Sequence, residues 1–430
     1  MTTATLLSKK SIASCVIGNM IEWYDFGLFA YFAPVISKLF FPHNNTFISL
    51  IQVFLVFAAA YLVRPIGAIL FGHLGDRWGR AKTLKISIIL ISIPTVGIGL
   101  MPTYHSIGVT ATLLLIVLRL MQGLCIGGEF AGSMTYLSEM AAANRRAYIS
   151  SYANSLSNFG VVIGVALMAL IVAIIPHAQF MQWGWRVPFV LGGVLGLIGL
   201  WLRGNLQETG VFIEIKNQQT RSQLPIKDVL KKYPKKVLQI IFLLFMGASS
   251  IYTLLVYLTT YFHVILQVPL SKALFIQMIY LVISASLMPV FGKVADRYGR
   301  RIVLITAAIA FIVLTWPSFY ALNHLSIWLS SILILPLMVF IAMGQGATPA
   351  MMVEHFPANI RYTGISFSYN VCFSLIGGFA PAINMWMIHA THNPLMPAMY
   401  VTVGALVTLL VTVFVMKRSY GEQVSLSSIQ

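Results

Sequence analysis

Two carboxylates lie close together in the first apolar stretch of the chain. Glu22 and Asp25 stand three positions apart within Gly18–Phe26, inside a hydrophobic run from about Ser11 to Phe41. On a helix this spacing places both side chains on one face. An ionised carboxylate in hydrocarbon costs at least about 2.5 kcal/mol, so both acids should face a protein interior or a wet cavity. Buried carboxylates are suited to bind and release protons, and we expect one of them to carry a coupling proton.

Three further charged residues lie inside apolar segments. Arg64 precedes Pro65 and is suited either to bind a substrate carboxylate or to pair with a buried acid. Arg119 is the second buried arginine, and one of the two acids could be permanently paired with it or with Arg64. Glu129 follows Arg119 by ten residues, about 15 Å along a helix. It therefore needs a different partner or carries a proton itself.

Neutral polar and aromatic side chains in the apolar segments are candidates for contacts with a substrate. Amides offer donors and acceptors, and aromatic rings attract ammonium groups. Most such residues in membrane bundles only join helices, so we expect about a third of them to touch a ligand. The candidates, in addition to Arg64, are Asn19, Tyr24, Tyr31, Asn154, Asn158, Tyr252, Tyr257, Tyr261, Gln277, Gln345, Tyr369 and Asn370.

The composition is that of a polytopic membrane protein. Hydrophobic residues make up 58% and charged residues 9% of the 430 residues, whereas soluble domains contain about 25% charged residues. The net charge of +17 does not indicate nucleic-acid binding, because Lys and Arg concentrate in alternate loops. The sequence contains no metal-ligand spacing, nucleophile–base set or nucleotide-binding loop. We therefore expect no enzyme, metal or cofactor, with the proton as coupling ion.

Twelve apolar segments are long enough to cross a membrane as helices. Basic residues follow every second segment, which predicts that both termini are cytoplasmic. The predicted spans, numbered 1 to 12 in chain order, cover residues 12–40, 49–72, 84–101, 109–138, 148–175, 186–203, 237–263, 271–291, 302–321, 326–353, 362–388 and 397–416.

An internal repeat relates the two halves of the chain. F-G-H-L-G-D-R-W-G-R at 71–80 returns as F-G-K-V-A-D-R-Y-G-R at 291–300, in each case at the end of an even-numbered span. Its glycines permit a tight turn, and its aspartate can accept hydrogen bonds from helix N-termini and from arginines of the other half. These turns are predicted to hold the cytoplasmic side shut. The predicted gate residues are Asp76, Arg77, Gly79, Arg80, Asp296, Arg297, Gly299 and Arg300.

The duplication predicts an all-α membrane protein with two pseudo-symmetric six-helix bundles. The bundles cover residues 1–203 and 237–418, and a cytoplasmic linker, 204–236, joins them. Within the linker, Leu206–Asn217 has a pattern typical of an amphipathic helix on the membrane surface. Residues 419–430 form a short cytoplasmic tail. Related halves of six spans are typical of transporters that rock about a site near the bilayer midplane.

Several motifs resemble those of the major facilitator superfamily. The D-R-x-G-R turns are similar to its signature loops, and R-L-M-Q-G at 119–123 is similar to its R-x-x-Q-G helix. Other motifs resemble the metabolite:proton symporters of that superfamily, which take up proline and betaine, 2-oxoglutarate, shikimate or citrate. These motifs are G-N-x-x-E-W-Y-D-F at 18–26, R-P-I-G at 64–67, G-G-E-x-x-G at 127–132, W-G-W-R-x-P-F at 183–189 and R-Y-T-G at 361–364. The resemblance implies a twelve-helix fold and links Arg119 to proton coupling.

Together, the resemblance and the buried charges predict a proton-coupled importer that works by alternating access. The expected coupling residues are Glu22, Asp25, Arg119 and Glu129, all in the N-terminal half. Because Arg64 and Arg119 are the only candidate buried cations, a zwitterion of the proline or betaine type fits better than a di- or tricarboxylate. The alternatives are an organic-acid symporter of the 2-oxoglutarate, shikimate or citrate type and a proton-driven exporter. We expect a monomer in the bacterial inner membrane.

Overall fold

The structure of the protein is a computed structural model that describes residues 9–78, 80–127, 129–202, 225–357 and 360–416. Nearly all of these residues are helical, and none of them forms a β-strand. Within the same ranges, the side chains at 9–16, 26, 72–84 and a few further positions, among them Glu129, lie outside the description.

The helices account for twelve spans. Ten helices among the described residues are long and apolar enough to cross a membrane, and Lys85–Leu100 is a shorter apolar stretch. The first segment, which begins at Lys9, completes the predicted number of twelve. Spans 1 to 6 are Lys9–Tyr31 with Ala33–Phe40, Thr46–Leu62 with Arg64–Trp78, Arg80–Leu100, Val109–Ile126 with Glu129–Met140, Arg146–Ile174 and Val187–Leu202. Spans 7 to 12 are Pro234–Leu243 through Tyr261–Ile265, Leu270–Tyr298, Arg300–His324, Ile327–His355, Arg361–Cys372 through Ala380–Thr391, and Met396–Phe414.

Short helices connect some of the spans. Tyr104–Ile107 and His177–Gln182 follow spans 3 and 5. Pro225–Lys232 lies in the predicted linker, just before span 7 begins at Pro234. The predicted surface helix over Leu206–Asn217 lies outside the described residues.

The second D-R-x-G-R turn is tighter than the sequence predicts. Span 8 continues through Asp296 and Arg297 to Tyr298, and the chain reverses at Gly299, where φ is +99°. Residues with a Cβ rarely adopt this conformation, so the turn requires glycine at this position. Asp296 and Arg297 consequently lie on a helix rather than in a loop, and Arg300 begins the next helix.

The outward-facing side chains are strongly apolar. Leu197, Trp201 and Phe414 are 69%, 77% and 79% exposed. Exposed side chains of this kind suit contact with lipid chains, and helices satisfy their own backbone hydrogen bonds in hydrocarbon. The chain is therefore an integral membrane protein.

Spans 2 and 4 approach each other closely because small residues lie at their crossing. A Cβ on Gly123 would stand 1.9 Å from the backbone oxygen of Ala60. Only glycine permits this approach, which is common where membrane helices cross. The contact matters for function because these spans carry Arg64 and Arg119.

We expect Gly123→Ala to destabilise the folded protein by about 3 kcal/mol, because the added methyl group meets backbone that cannot rotate away. The melting temperature of the purified protein in detergent is the measurement. Gly97→Ala is the matched control, since its Cβ would stand 3.2 Å from Leu118 Cδ2, the end of a flexible side chain. Equal melting temperatures for the two variants would contradict the close crossing.

Candidate functional site

A small cavity, with about 50 Å³ of space for the centres of water-sized spheres, lies between the two halves, near the middle of the spans. Its polar lining consists of amides and hydroxyl groups, and its wall contains no Asp, Glu, Lys or Arg in the part of the chain that the structure describes. Aromatic rings dominate the wall. These rings belong to Trp23, Tyr31, Phe57, Tyr61, Phe130, Tyr252, Tyr369 and Phe373.

The two halves touch on the side of the cavity away from the D-R-x-G-R turns. Tyr31 Oη of span 1 donates to the backbone oxygen of Leu255 in span 7. Farther out, the rings of Phe47 and His389 pack with centroids 5.2 Å apart. These contacts join the halves at one end of the cavity.

The halves also touch at the end that carries the D-R-x-G-R turns. The Asp296 carboxylate accepts hydrogen bonds from the backbone N–H groups of Ala147 and Tyr148, at 3.0 and 2.8 Å. These N–H groups open span 5, where the helix dipole also favours a negative charge. The contact has the form that the repeat predicts for this aspartate.

The ion pairs at this end differ from the predicted ones. Arg300 pairs with Asp296 of its own half at 3.1 Å and also with Glu354. Glu354 in turn pairs with Arg146 of the other half at 3.1 Å. The arginine contact across the seam therefore runs through Glu354, which is not among the predicted gate residues.

The structure does not place the other predicted gate residues in contacts across this seam. Arg297 is exposed and lies 5.3 Å from the ring of its neighbour Tyr298. Gly79 and the side chains of Asp76, Arg77 and Arg80 lie outside the described part of the chain. Their role stays a prediction.

Four charged side chains of the N-terminal half lie one layer behind the aromatic wall. Glu22, Asp25, Arg64 and Arg119 are at most 2% exposed, and none of them lines the cavity. The two acids are thus buried, but they have different neighbours.

Arg64 stacks on the back of the wall. Its guanidinium carbon lies 4.0 Å from the centroid of the Tyr61 ring and 5.6 Å from that of Trp23, and both rings line the cavity. Such contacts stabilise a cation away from water. Glu22 belongs to the same neighbourhood, since Glu22 and Arg64 both lie within electrostatic range of Tyr369. Arg64 is therefore not placed to touch a solute in the cavity.

A polar chain leads from Arg119 to Thr95, which lies beside Asp25. Arg119 Nη1 donates to Gln122 Oε1 at 2.7 Å, and Gln122 Nε2 donates to Thr95 Oγ1 at 2.7 Å. Asp25 packs beside Thr95, since a Cβ on Gly192 would stand 2.4 Å from Asp25 Oδ1 and 2.9 Å from Thr95 Cγ2. A carboxylate in this position is costly when charged, and a proton removes that cost. The arrangement is suited to bind a proton and to transmit its presence to the arginine.

Some of the predicted substrate contacts line the cavity, and others do not. The first group is Tyr31, Asn154, Asn158, Tyr252, Gln345 and Tyr369. Asn154 Nδ2 donates across the seam to Gln345 Oε1 at 3.0 Å.

The second group uses its polar atoms inside the protein. Asn19 donates to Ser133, the Tyr24 hydroxyl to the backbone oxygen of Pro188, and Gln277 to that of Leu255. The other residues outside the wall are Arg64, Tyr257, Tyr261 and Asn370. The side chain of Glu129 lies outside the description.

The wall also contains rings that the sequence analysis missed, those of Phe57, Tyr61, Phe130 and Phe373. The sequence positions of Phe57, Phe130 and Phe373 do not distinguish them from the many other aromatic residues in the spans. Tyr61 carries a signal, because Pro65 four residues later has no N–H group for its backbone oxygen.

Solved structures with the same fold are membrane transporters. The proton:xylose symporter XylE bound to 6-bromo-6-deoxy-D-glucose has a TM-score of 0.78 at 19% identity, over 97% of this chain and 98% of that one. A partially occluded inward open form of XylE from E. coli has a TM-score of 0.75 at 19% identity, over 95% and 99%.

Sequence comparisons extend this likeness over nearly the whole chain. The proline/betaine transporter of Escherichia coli (strain K12) is 32% identical over 411 residues, 94% of this chain and 82% of that protein. The glycine betaine/proline/ectoine/pipecolic acid transporter OusA of Dickeya dadantii (strain 3937) is 32% identical over 415 residues, 94% and 83%. The family model of the Major Facilitator Superfamily matches residues 15–381 and 266–427. The chain thus belongs to the Major Facilitator Superfamily of membrane transporters.

Proposed function

We propose that this chain is a proton-coupled symporter that imports a small zwitterionic solute, such as proline or betaine, across the bacterial inner membrane by alternating access. The aromatic cavity between the halves carries this proposal. It is flanked by contacts between the halves at both ends, as a rocking mechanism requires of a closed intermediate.

The wall suits a solute without net charge. A di- or tricarboxylate needs cationic partners, and none belongs to the described wall. The π faces of the eight rings attract an ammonium group, most strongly when water is excluded. The names of the two curated relatives point to solutes of the same class.

The carboxylate end of such a solute meets neutral donors rather than an arginine. Asn154, Ser157 and Asn158 lie along one stretch of span 5 in the wall, and Gln345 faces them from span 10. Amide and hydroxyl donors bind a carboxylate without the cost of a buried fixed charge. In this structure the three donors of span 5 bond to Gln345, Ala153 and Asn154, and the solute would replace some of these bonds. Arg64 then supports the wall from behind instead of binding the solute.

Proton coupling is assigned to the layer behind the wall. Protonation of Asp25 or Glu22 removes a buried negative charge and lowers the cost of closing the halves around the solute. Arg119 is linked to this acid through Gln122 and Thr95, since Thr95 lies beside Asp25. Release of the proton and the solute on the other side completes the cycle.

The test uses the full chain purified into proteoliposomes with an acidic outside. We expect labelled glycine betaine or proline to accumulate, substrate addition to cause proton uptake, and a protonophore to abolish the accumulation. Accumulation of 2-oxoglutarate in place of the zwitterions would favour the organic-acid alternative. Extrusion of solute in exchange for entering protons would favour the exporter, and the absence of solute-dependent proton movement would refute symport.

A further inference from the structure

Two helices of the N-terminal half are interrupted at the level of the cavity. Span 2 is interrupted at Val63, between Thr46–Leu62 and Arg64–Trp78. Span 4 has a turn at Gly127, after Val109–Ile126, and residue 128 lies outside the described part of the chain. The second helix of span 2 begins with a charged residue, Arg64.

A serine of the other half bonds to the first interruption. Pro65 has no N–H group, so it cannot donate the helical hydrogen bond to the backbone oxygen of Tyr61. Ser374 Oγ of span 11 donates to this oxygen across the seam. The Tyr61 hydroxyl is also bonded to that of Tyr252 in span 7. The interruption in span 2 is thereby joined to two helices of the C-terminal half.

Two side chains of the same helix bond to the second interruption. Asn370 Nδ2 donates to the backbone oxygen of Gly127 at 2.6 Å, and Ser366 Oγ donates to the same oxygen at 3.2 Å. Asn370 Nδ2 also donates to the backbone oxygen of Ser366 at 2.8 Å, which fixes the amide.

The three donors form one row on span 11. Ser366, Asn370 and Ser374 are spaced four residues apart, so they lie on one helix face. All three are buried, and none lines the cavity. We refer to them as the span 11 row. Their bonds run to backbone oxygens at helix interruptions, and not to the solute site.

We propose that the span 11 row is a set of positioning residues that closes the two halves onto both interruptions, and so links closure to the placement of spans 2 and 4, which carry the buried Arg64 and Arg119. Separation of the halves along this seam breaks all three contacts together. The row thus couples closure to the positions of these two spans, without carrying charge itself. The link to coupling rests on the proposed proton symport, whereas the closing role does not.

Amide hydrogen exchange measures opening of this seam. The rate of deuterium labelling of the peptides that cover span 11 and the facing parts of spans 2 and 4, followed by mass spectrometry on the full chain without solute, is the measurement. Ser366→Ala, Ser374→Ala and Asn370→Leu remove the donors. Ser368→Ala is the matched control, because Ser368 is buried on the same helix and donates to Gly364 within it.

We expect the seam peptides of each row variant to be labelled with deuterium about 3- to 10-fold faster than in the wild type, the effect of one lost hydrogen bond on an opening equilibrium. The ratio of proton-driven accumulation to solute exchange should fall by about the same factor, with KM for exchange within about twofold. Ser368→Ala should change neither quantity. Should Asn370→Leu fail to fold, the two serine variants, each lacking a single oxygen, decide the outcome.

Unchanged labelling in the row variants would overturn the closing role. A large rise in KM with unchanged labelling would show that the row contacts solute and would also overturn it. Faster labelling with an unchanged ratio of accumulation to exchange would refute the link to coupling. If the wild-type protein moves no protons but the row variants are still labelled faster, the closing role is supported and the proposed symport is refuted. The two failures are therefore distinguishable.

Discussion

Asp25→Asn is expected to reduce proton-driven accumulation of the solute by about 10- to 100-fold while exchange between two solute pools stays within about threefold. The amide keeps the shape of the side chain beside Thr95 and Gly192 but cannot bind and release a proton. Exchange needs only binding and rocking, so it tolerates a permanently neutral group. The measurements are labelled-solute accumulation under an imposed proton gradient and counterflow without one, in the same proteoliposome preparation.

Asp228→Asn is the matched control, since Asp228 lies in the short helix before span 7 and pairs with Lys232 at 3.1 Å. We expect wild-type accumulation for this variant. Glu22→Gln tests the other buried acid of span 1, which lies near Arg64. Full accumulation in Asp25→Asn together with its loss in Glu22→Gln would move the proton carrier from the Thr95 side of span 1 to the Arg64 side. Full accumulation in both variants would remove span 1 from the coupling mechanism.

Tyr369→Leu is expected to raise the KM for glycine betaine exchange by about 5- to 30-fold, the range of a desolvated contact between a cation and an aromatic ring. The Tyr369 ring stacks on Phe373 at 4.1 Å between centroids and packs against Phe130 at 5.0 Å. Its loss removes one face of the aromatic wall and loosens two others. Tyr369→Phe keeps the ring, and its KM should stay within about threefold of the wild-type value.

Tyr320→Leu controls for the loss of a tyrosine elsewhere in the membrane domain, because Tyr320 is exposed on span 9. Its KM should equal that of the wild type. An unchanged KM in Tyr369→Leu would show that the wall does not bind the ammonium group. A KM that rises equally in Tyr369→Phe and Tyr369→Leu would assign the contact to the hydroxyl group instead of the ring.

The number and order of the spans could be predicted from sequence because lipid imposes a simple rule. A helix that crosses hydrocarbon must be long and apolar, and this requirement is visible in any window of about 20 residues. The interruptions at Val63 and Gly127 were not predicted as such. Each has a local cause, Pro65 near the first and a Gly-Gly pair at the second, but single residues of this kind do not decide whether a helix stops or continues.

The candidate site was predicted less completely. Burial of Glu22 and Asp25 followed from the cost of charge in lipid, and the structure places both inside the protein. The cost of charge in lipid did not predict which face of each helix lines the cavity. Asn370 was expected to touch the solute and instead bonds to Gly127, because the direction of a buried amide depends on the helix packed against it.

The sequence alone determined that this protein is a duplicated bundle of membrane helices with its buried acids in the N-terminal half, since apolar length, charge placement and repeats are properties of the chain itself. Only the tertiary structure decided that the charges lie behind an aromatic wall rather than in it. It also decided that the span 11 row, which no local pattern marks, joins the halves at two helix interruptions. The physical reason is that contacts between distant helices depend on how the bundles dock, and period and composition do not encode that docking within any single segment.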